Sequence, residues 1–447
     1  MTILIQNGFP SWKGTIMRRF QYTLFQPLSI PSVLIQLPRF YSSHQKLIDT
    51  MQSLGYPSSD GLCHGVACLA AQYHLSDDMK TFHQHIKFTK KNARFSDDQP
   101  EEIRRFFDDI VIGQSPQDQP LIKNIAPIFK KNQAQNSITS LAAIKNEEIK
   151  KYRGIKCVAH FTGAYSMLEL RRYFDLLSEN ASVHACTFAL LIGSPLHAIM
   201  IGFDATKQKW VFVDANKLPQ RNFEYYNSAR LAIETNRALS SSKNGNTIFS
   251  TQLLTTRDSE SNANDFISQL KRDRQWKKLH TISTRKAKMS DSFDSNWLMT
   301  ACTIESEFNV VKSLIKQGAD LDQANQTTLS PLEYAISYGN RDIVKLLLKK
   351  GADANYPGNS FLEFTAQLGF YDIAKDLLSY GAKINSEHQS PIFTAAKKGD
   401  ERFIRLFQKQ EPVSAGNSFD RFFSIKHRAA KQALNESNDQ AVISKQF

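Results

Sequence analysis

The chain has 447 residues, a formal charge of +13, 41% hydrophobic and 22% charged content, and five cysteines. That length has room for two or three domains, and the balance of apolar and charged residues is that of a globular chain rather than a disordered or fibrous one. No apolar run approaches the roughly 18 to 20 residues that span a bilayer, the odd and irregularly spaced cysteines argue for a reducing compartment rather than a disulfide framework, and the positive charge lacks a compact basic motif, so nucleic acid is expected only as an indirect partner.

Residues 1–45 are expected to form an N-terminal extension. The first 48 residues lack Asp and Glu and carry Lys13, Arg18, Arg19, Arg39 and Lys46, a composition like that of a mitochondrial transit segment. Pro10, Pro27, Pro31 and Pro38 interrupt the amphipathic helix such a segment needs, and no Sec-type apolar core with a cleavage site is apparent.

The first chemistry lies at Ser59-Asp60-Gly61-Leu62-Cys63-His64-Gly65. Cys63 to Tyr73 reads as a mostly apolar helix with the cysteine at its head, where unpaired amides favour a thiolate and lower the thiol pKa. His64, His74, His83 and His85 follow, but no zinc-type pair spacing accompanies them or Cys63 and Cys68. They are read as solvated surface histidines, and no metal or cofactor is expected. Cys157, Cys186 and Cys302 are read as packing residues. Residues 91–155 are polar, helix-prone around Pro100 to Ile112, and expected to be inserted around the core.

Ala185 to Gly193 is the longest apolar run and strand-like. Leu196 to Phe203 and Lys209 to Asp214 then form two runs rich in β-branched and aromatic residues around Asp204-Ala205-Thr206-Lys207, a hairpin pattern. Folded symmetrically about Ala205 and Thr206, the hairpin pairs Ile201 with Trp210 and His197 with Asp214. Cross-strand Cβ atoms about 5 Å apart would let the carboxylate orient the imidazole, and an imidazole near Cys63 would hold the thiolate and later protonate a leaving group. Ser240 to Asn264, rich in Ser, Asn and Thr, is expected to be loop, and Lys271 to Ser292 a basic linker.

Beyond the linker, Gly318-Ala319-Asp320, Gly351-Ala352-Asp353 and Gly381-Ala382-Lys383 recur at intervals of about 30 to 33 residues. Each follows an amphipathic helix: Val310 to Ile315, Ile343 to Leu348 and Ile373 to Leu378. Ser330-Pro331-Leu332-Glu333-Tyr334-Ala335 and Ser390-Pro391-Ile392-Phe393-Thr394-Ala395 carry a capping hydroxyl and a first-turn proline ahead of a partner helix. Asn296 to Ala301 and Ser360 to Ala366 are degenerate copies. The pattern is that of about four ankyrin repeats over residues 290–412, the last cut short near Phe407. Asn355 and Asn385 fall where ankyrin repeats carry an asparagine that hydroxylases can modify, and turn geometry explains them more simply. The tail, 413–447, holds one plausible helix from Phe419 to Leu434.

The Gly-x-Cys helix start, His197 ahead of small and apolar strand residues, and the strand ending in Asp214-Ala215-Asn216 resemble papain-like cysteine proteases of the bacterial YopT and AvrPphB group. The resemblance implies an α+β papain-like domain over residues 46–285, followed by an all-α ankyrin-repeat solenoid. Its triad would be Cys63 as nucleophile, His197 as base and acid, and Asp214 as orienter. Ala215 stands where the family has proline, and no Gln precedes Cys63 at the papain-like spacing. Ser59 or Asp60 is therefore expected as an oxyanion donor beside the Cys63 amide. With the repeats added, the chain resembles the ankyrin-bearing type IV secretion effectors of Legionella. That likeness implies export by a non-Sec route into a host cell, action in its cytoplasm or nucleus, a protein or peptide substrate, and a host protein held by the repeats. Two other outcomes stay open: a papain-fold deamidase or acyl transferase, and a non-catalytic scaffold for a host protein or ribonucleoprotein regulator.

Overall fold

A computed structural model describes residues 41–53, 62–87, 101–114, 147–194, 197–218, 224–225, 227–240, 245–326, 329–355, 361–384 and 391–409. Ser59, Asp60, Gly61, Asn385, nearly all of the extension and the whole 413–447 tail lie outside these residues. In chain order, α1 (Tyr41–Ser53), α2 (Cys63–Leu75), α3 (Met79–Lys87), α4 (Glu101–Gln114) and α5 (Glu147–Lys151) precede β1 (Ile155–Tyr165). α6 (Met167–Val183) leads to β2 (Phe188–Gly193), β3 (Ala198–Asp204), β4 (Lys209–Val213) and the short β5 (Glu224–Tyr225). α7 (Ser228–Leu239), β6 (Thr247–Thr256), α8 (Glu260–Arg272), α9 (Arg274–His280) and α10 (Thr284–Ala287) follow.

The described strands form one six-stranded sheet in the order β1-β6-β2-β3-β4-β5, antiparallel throughout. Its central strands are continuously apolar because both faces are covered. Alternation along each strand divides the side chains between two cores. Ala189, Leu191, Met200, Val211 and Val213 pack with Leu47, Val66, Leu69, Phe82 and Phe106 from α1 to α4. Leu190, Ile192, Ile199, Ile201 and Phe212 pack with Tyr173, Leu231, Phe266 and Trp276 from α6 to α9. α2 is apolar around its whole circumference, and nearly all of it is buried, as expected of a helix enclosed on every side. Gly202 in β3 makes room for it: a Cβ there would sit 2.3 Å from the His74 ring.

Four expectations are corrected. Among its described residues Ser240–Asn264 is mostly strand and helix rather than loop, since β6 lies within it between β1 and β2 and α8 begins at Glu260. Its hydroxyls are buried but partnered: Thr251 with Tyr173 Oη at 3.1 Å, Thr247 accepting from Asn236 Nδ2 at 2.7 Å, and Thr255 donating to the Thr187 carbonyl at 3.3 Å. The basic stretch after Lys271 is not a linker. Trp276, Leu279 and Ala287 are buried, and so is Lys286, whose ammonium donates to the Leu279 carbonyl at 2.5 Å and lies 3.2 Å from Glu169. The 101–114 part of the polar 91–155 segment is a core helix, with Phe106, Phe107 and Ile110 buried. His64 and His74 are buried rather than solvated, His74 Nε2 lying 3.1 Å from the Phe188 carbonyl and His64 Nε2 3.5 Å from Cys68 Sγ.

Four helix pairs follow: α11 (Trp297–Ala301) with α12 (Phe308–Lys316), α13 (Pro331–Ser337) with α14 (Arg341–Lys349), α15 (Phe361–Leu368) with α16 (Tyr371–Ser379), and α17 (Pro391–Lys398) with α18 (Glu401–Gln408). The chain divides into two compact units between Tyr334 and Ala335, inside α13 rather than between 285 and 290. The first pair belongs to the sheet-bearing unit because α11 packs on β1 and β6. There the Trp297 indole N–H donates to Thr162 Oγ1 at 2.7 Å, and that hydroxyl donates to Glu307 Oε2 at 3.2 Å.

In the second unit α15 packs on α17, and α16 on α14 and α18, burying Val344, Leu347, Ala374, Leu377, Phe403 and Phe407. Gly351 and Gly381 close their helices with φ of +97° and +85°, a conformation glycine adopts without a Cβ penalty. Asn355 joins successive turns, donating to the Gly381 carbonyl at 2.9 Å and accepting from the Lys383 amide at 2.7 Å. Its turn role is therefore structural.

Candidate active site

Cys63, His197 and Asp214 come from three elements of one unit. Cys63 is the first residue of α2, His197 immediately precedes β3, and Asp214 immediately follows β4. Leu62 ahead of the helix supplies no side-chain cap, so the amide dipoles of the first turn remain directed at the region of the thiol.

The β3–β4 hairpin forms, but in a different register from the symmetric one. Met200 pairs with Val213, Ile201 with Phe212, Phe203 with Trp210 and Asp204 with Lys209. The expected Ile201–Trp210 and His197–Asp214 pairings are displaced by two residues. The cause is a four-residue connection in which Asp204 Oδ1 accepts from the Thr206 and Lys207 amides at 2.9 and 3.0 Å, and Gln208 takes a φ of +52°. A two-residue displacement keeps every side chain on its face, making Asp214 a diagonal neighbour of His197. The side chains still meet, with His197 Nε2 2.8 Å from Asp214 Oδ1. The chain turns after Asp214 into a short 3-10 helix, Ala215–Lys217, which brings the Asn216 side-chain amide to 3.3 Å from Nε2. An Nε2 that donates to Asp214 cannot also accept, so the amide oxygen of Asn216 is the group suited to that position.

Asp214 is held in place from several directions. Oδ1 accepts from the Asn216 amide at 2.9 Å, and Lys217 Nζ lies 4.0 Å from Oδ2 while pairing with Glu234 at 2.8 Å. Burial opposes the charge, yet His197, Lys217 and the Asn216 amide outweigh it and hold the carboxyl below its ordinary range. On the other side of the ring the thiol of Cys63 hydrogen-bonds His197. With Nε2 engaged by Asp214, Nδ1 is the nitrogen left for sulfur. Burial pushes the Cys63 thiol up, but His197 and the backbone amides of Ala198 and His64 outweigh burial and bring it below its ordinary value. Burial likewise disfavours a charged His197; Asp214 and Cys63 reverse that and raise it well above the usual imidazole range.

The other cysteines move in the opposite direction. Burial raises Cys68 and Cys302, takes Cys186 to about 12 and takes Cys157 to about 11. The arrangement can therefore present one thiolate, paired with an imidazolium that is itself anchored on a carboxylate. The reading from sequence assigned no role to Asn216, the Ala198 amide or the Lys217–Glu234 pair; only the Asp-x-Asn spacing hinted at the first. Among the described residues no cluster of three or more His, Cys, Asp or Glu side chains is placed to hold a metal ion, and no helix is long and apolar enough to cross a membrane.

A family model described as ankyrin repeats (3 copies) matches residues 274–358. Over 90 residues the chain is 33% identical to a Fowlpox virus (strain NVSL) protein named as an ankyrin repeat protein, an overlap covering 20% of this chain and 21% of that one. The chain thus spans about a fifth of that relative's length. It carries ankyrin repeats, an architecture that implies protein partners, preceded by an α+β region built on an antiparallel sheet.

Proposed function

We propose that the α+β region is a papain-like cysteine peptidase and that the ankyrin repeats hold the protein on which it acts. The observation that carries this reading is the hydrogen-bonded series from Cys63 through His197 to Asp214 at the head of a buried helix. In the reaction, Cys63 Sγ attacks the scissile carbonyl carbon, and the carbonyl electron pair moves onto oxygen. The Cys63 backbone N–H donates to that oxyanion, and a second donor is assigned to Ser59 or Asp60. Collapse expels the amine, which takes its proton from the His197 imidazolium and leaves an acyl-thioester. His197 then removes a proton from water, which attacks the thioester and releases the acid and the thiol. Asp214 orients the ring and stabilises the imidazolium throughout. Transfer of the acyl group to an amine, or attack on a side-chain amide, would use the same intermediate. The resemblance to ankyrin-bearing type IV effectors supports delivery into a host cell, with host proteins in its cytoplasm or nucleus as partner and substrate.

The test is the pH dependence of Cys63 alkylation by iodoacetamide, with modified sites assigned by mass spectrometry and His197→Ala as comparison. Selective reaction at Cys63 well below pH 8 that collapses in the variant is expected. Slow alkylation indifferent to His197 would leave a protein-binding scaffold instead.

A further inference from the structure

A second site lies at the β1 edge of the sheet, within the same unit. β1, α8, α9 and the first helix pair enclose a cleft of about 290 Å³, at the small end of the range for ligand pockets and ample for one amino-acid side chain. Its walls are aromatic: Phe161 meets Trp276 edge-to-face at 5.4 Å, Trp276 lies over His280 at 4.2 Å, and Trp297 closes one side. Glu307, in the turn Glu305–Glu307 that joins α11 to α12, contributes a buried carboxyl. It accepts from Thr162, whose hydroxyl proton is committed to it because the same oxygen accepts from the Trp297 indole. Beside it, His160 Nε2 is buried without a hydrogen-bond partner. A carboxyl group, a free imidazole nitrogen and flat aromatic walls are the complement of a planar cation with several N–H donors. Lys271, exposed and lining the cleft, favours the ionised form of Glu307, and an incoming guanidinium must share that carboxyl with it.

We propose that this cleft recognises an arginine side chain presented by a partner protein. The guanidinium donates to Glu307 and to His160 Nε2 while its plane rests on one of the two perpendicular rings, Trp276 or Phe161, and its edge meets the other. Attachment of the partner here is independent of the chemistry at Cys63. Four titratable groups face the cleft: His160, Lys271, His280 and Glu307. Burial lowers His160 and His280 to about 4, so both are neutral at pH 7, and burial raises Glu307 to about 7. A guanidinium binds the ionised carboxylate, so affinity rises with pH toward 7 and levels above it.

The experiment is titration of the full chain with N-acetyl-arginine methylamide, followed by tryptophan fluorescence and calorimetry. N-acetyl-citrulline methylamide serves as the neutral isostere and free arginine as the metabolite control. Saturable binding of the blocked arginine, at least tenfold weaker for citrulline, and tenfold weaker again at pH 6 than at pH 8, is expected. Glu307→Gln, checked for a native unfolding transition, should abolish the preference for arginine over citrulline. Equal binding of the two blocked probes, or no binding of the arginine probe at millimolar concentration, overturns the proposal using the wild-type chain alone. Tighter binding of free arginine than of the blocked residue overturns the protein source in favour of a metabolite.

Discussion

At the scale of single residues the site is an electrostatic arrangement in which each group sets the protonation of the next. Cys63 is lowered and His197 raised, so the thiolate–imidazolium pair should persist from the depressed thiol value up to the elevated imidazole value, and alkylation should stay nearly level across neutral pH. Asp214→Asn removes the anion that stabilises the imidazolium. Alkylation of that variant at pH 6 is expected to fall by about tenfold or more, since each unit of pKa is worth ~1.4 kcal/mol, with the midpoint moving toward that of a free thiol. The stability consequence follows from the depressed Asp214 carboxyl. Its contribution is present above the unfolded carboxyl value near 4 and is lost as pH falls through the lower folded value. Asp214→Asn should therefore lower stability by about 3 kcal/mol at pH 7, and urea unfolding should find the gap closing in acid. Cys63, His197 and Asp214 were legible in the sequence because thiol, imidazole and carboxylate chemistry restricts residue type and local context. Asn216 was not, since its proximity to His197 depends on the 3-10 turn that follows β4.

At the scale of elements, register and close approach decide what residue type leaves open. The symmetric hairpin was a reading of polarity around Ala205 and Thr206; Asp204 instead caps a longer turn with its own carboxylate. The sheet tolerated the difference because a shift of two residues preserves the faces. Gly202 illustrates a constraint invisible in sequence, as its missing Cβ is the space the His74 ring occupies. Gly202→Ala should destabilise the chain by about 1 to 3 kcal/mol, and combining it with His74→Ala should recover part of that loss. Additive effects in denaturant melts would show that the two residues do not share this space. In the repeats, Ser330 Oγ accepts from the Glu333 amide at 3.3 Å. Ser330→Ala should cost about 1 kcal/mol, read as a shift in the midpoint of helical unfolding by circular dichroism.

At the scale of the whole molecule, the repeat family and the compact unit are different divisions of the chain. The first helix pair is ankyrin-like in sequence but completes the sheet-bearing unit, since Trp297 is buried against Thr162 and Glu307. A chain shortened to end at residue 285 should lose several degrees of thermal stability and bind more hydrophobic dye than one ending at residue 337, which keeps the first pair and Tyr334. Equal melting of the two would separate the first pair from the sheet. The sequence by itself determined the repeats and singled out Cys63, His197 and Asp214, which the structure sets side by side. Helix periodicity, turn glycines and capping residues are local signals, and a nucleophile–base–acid set is restricted to few residue types. Only the tertiary structure decided that the Thr-rich β6 is an internal strand, that the basic stretch after Lys271 is packed, that His74 is buried beneath Gly202, and that a carboxyl and an imidazole line one aromatic cleft. In the first three cases a polar residue is buried because a partner distant in sequence satisfies it, Tyr173 for Thr251, Glu169 for Lys286 and the Phe188 carbonyl for His74, and those pairings exist only once the chain has folded.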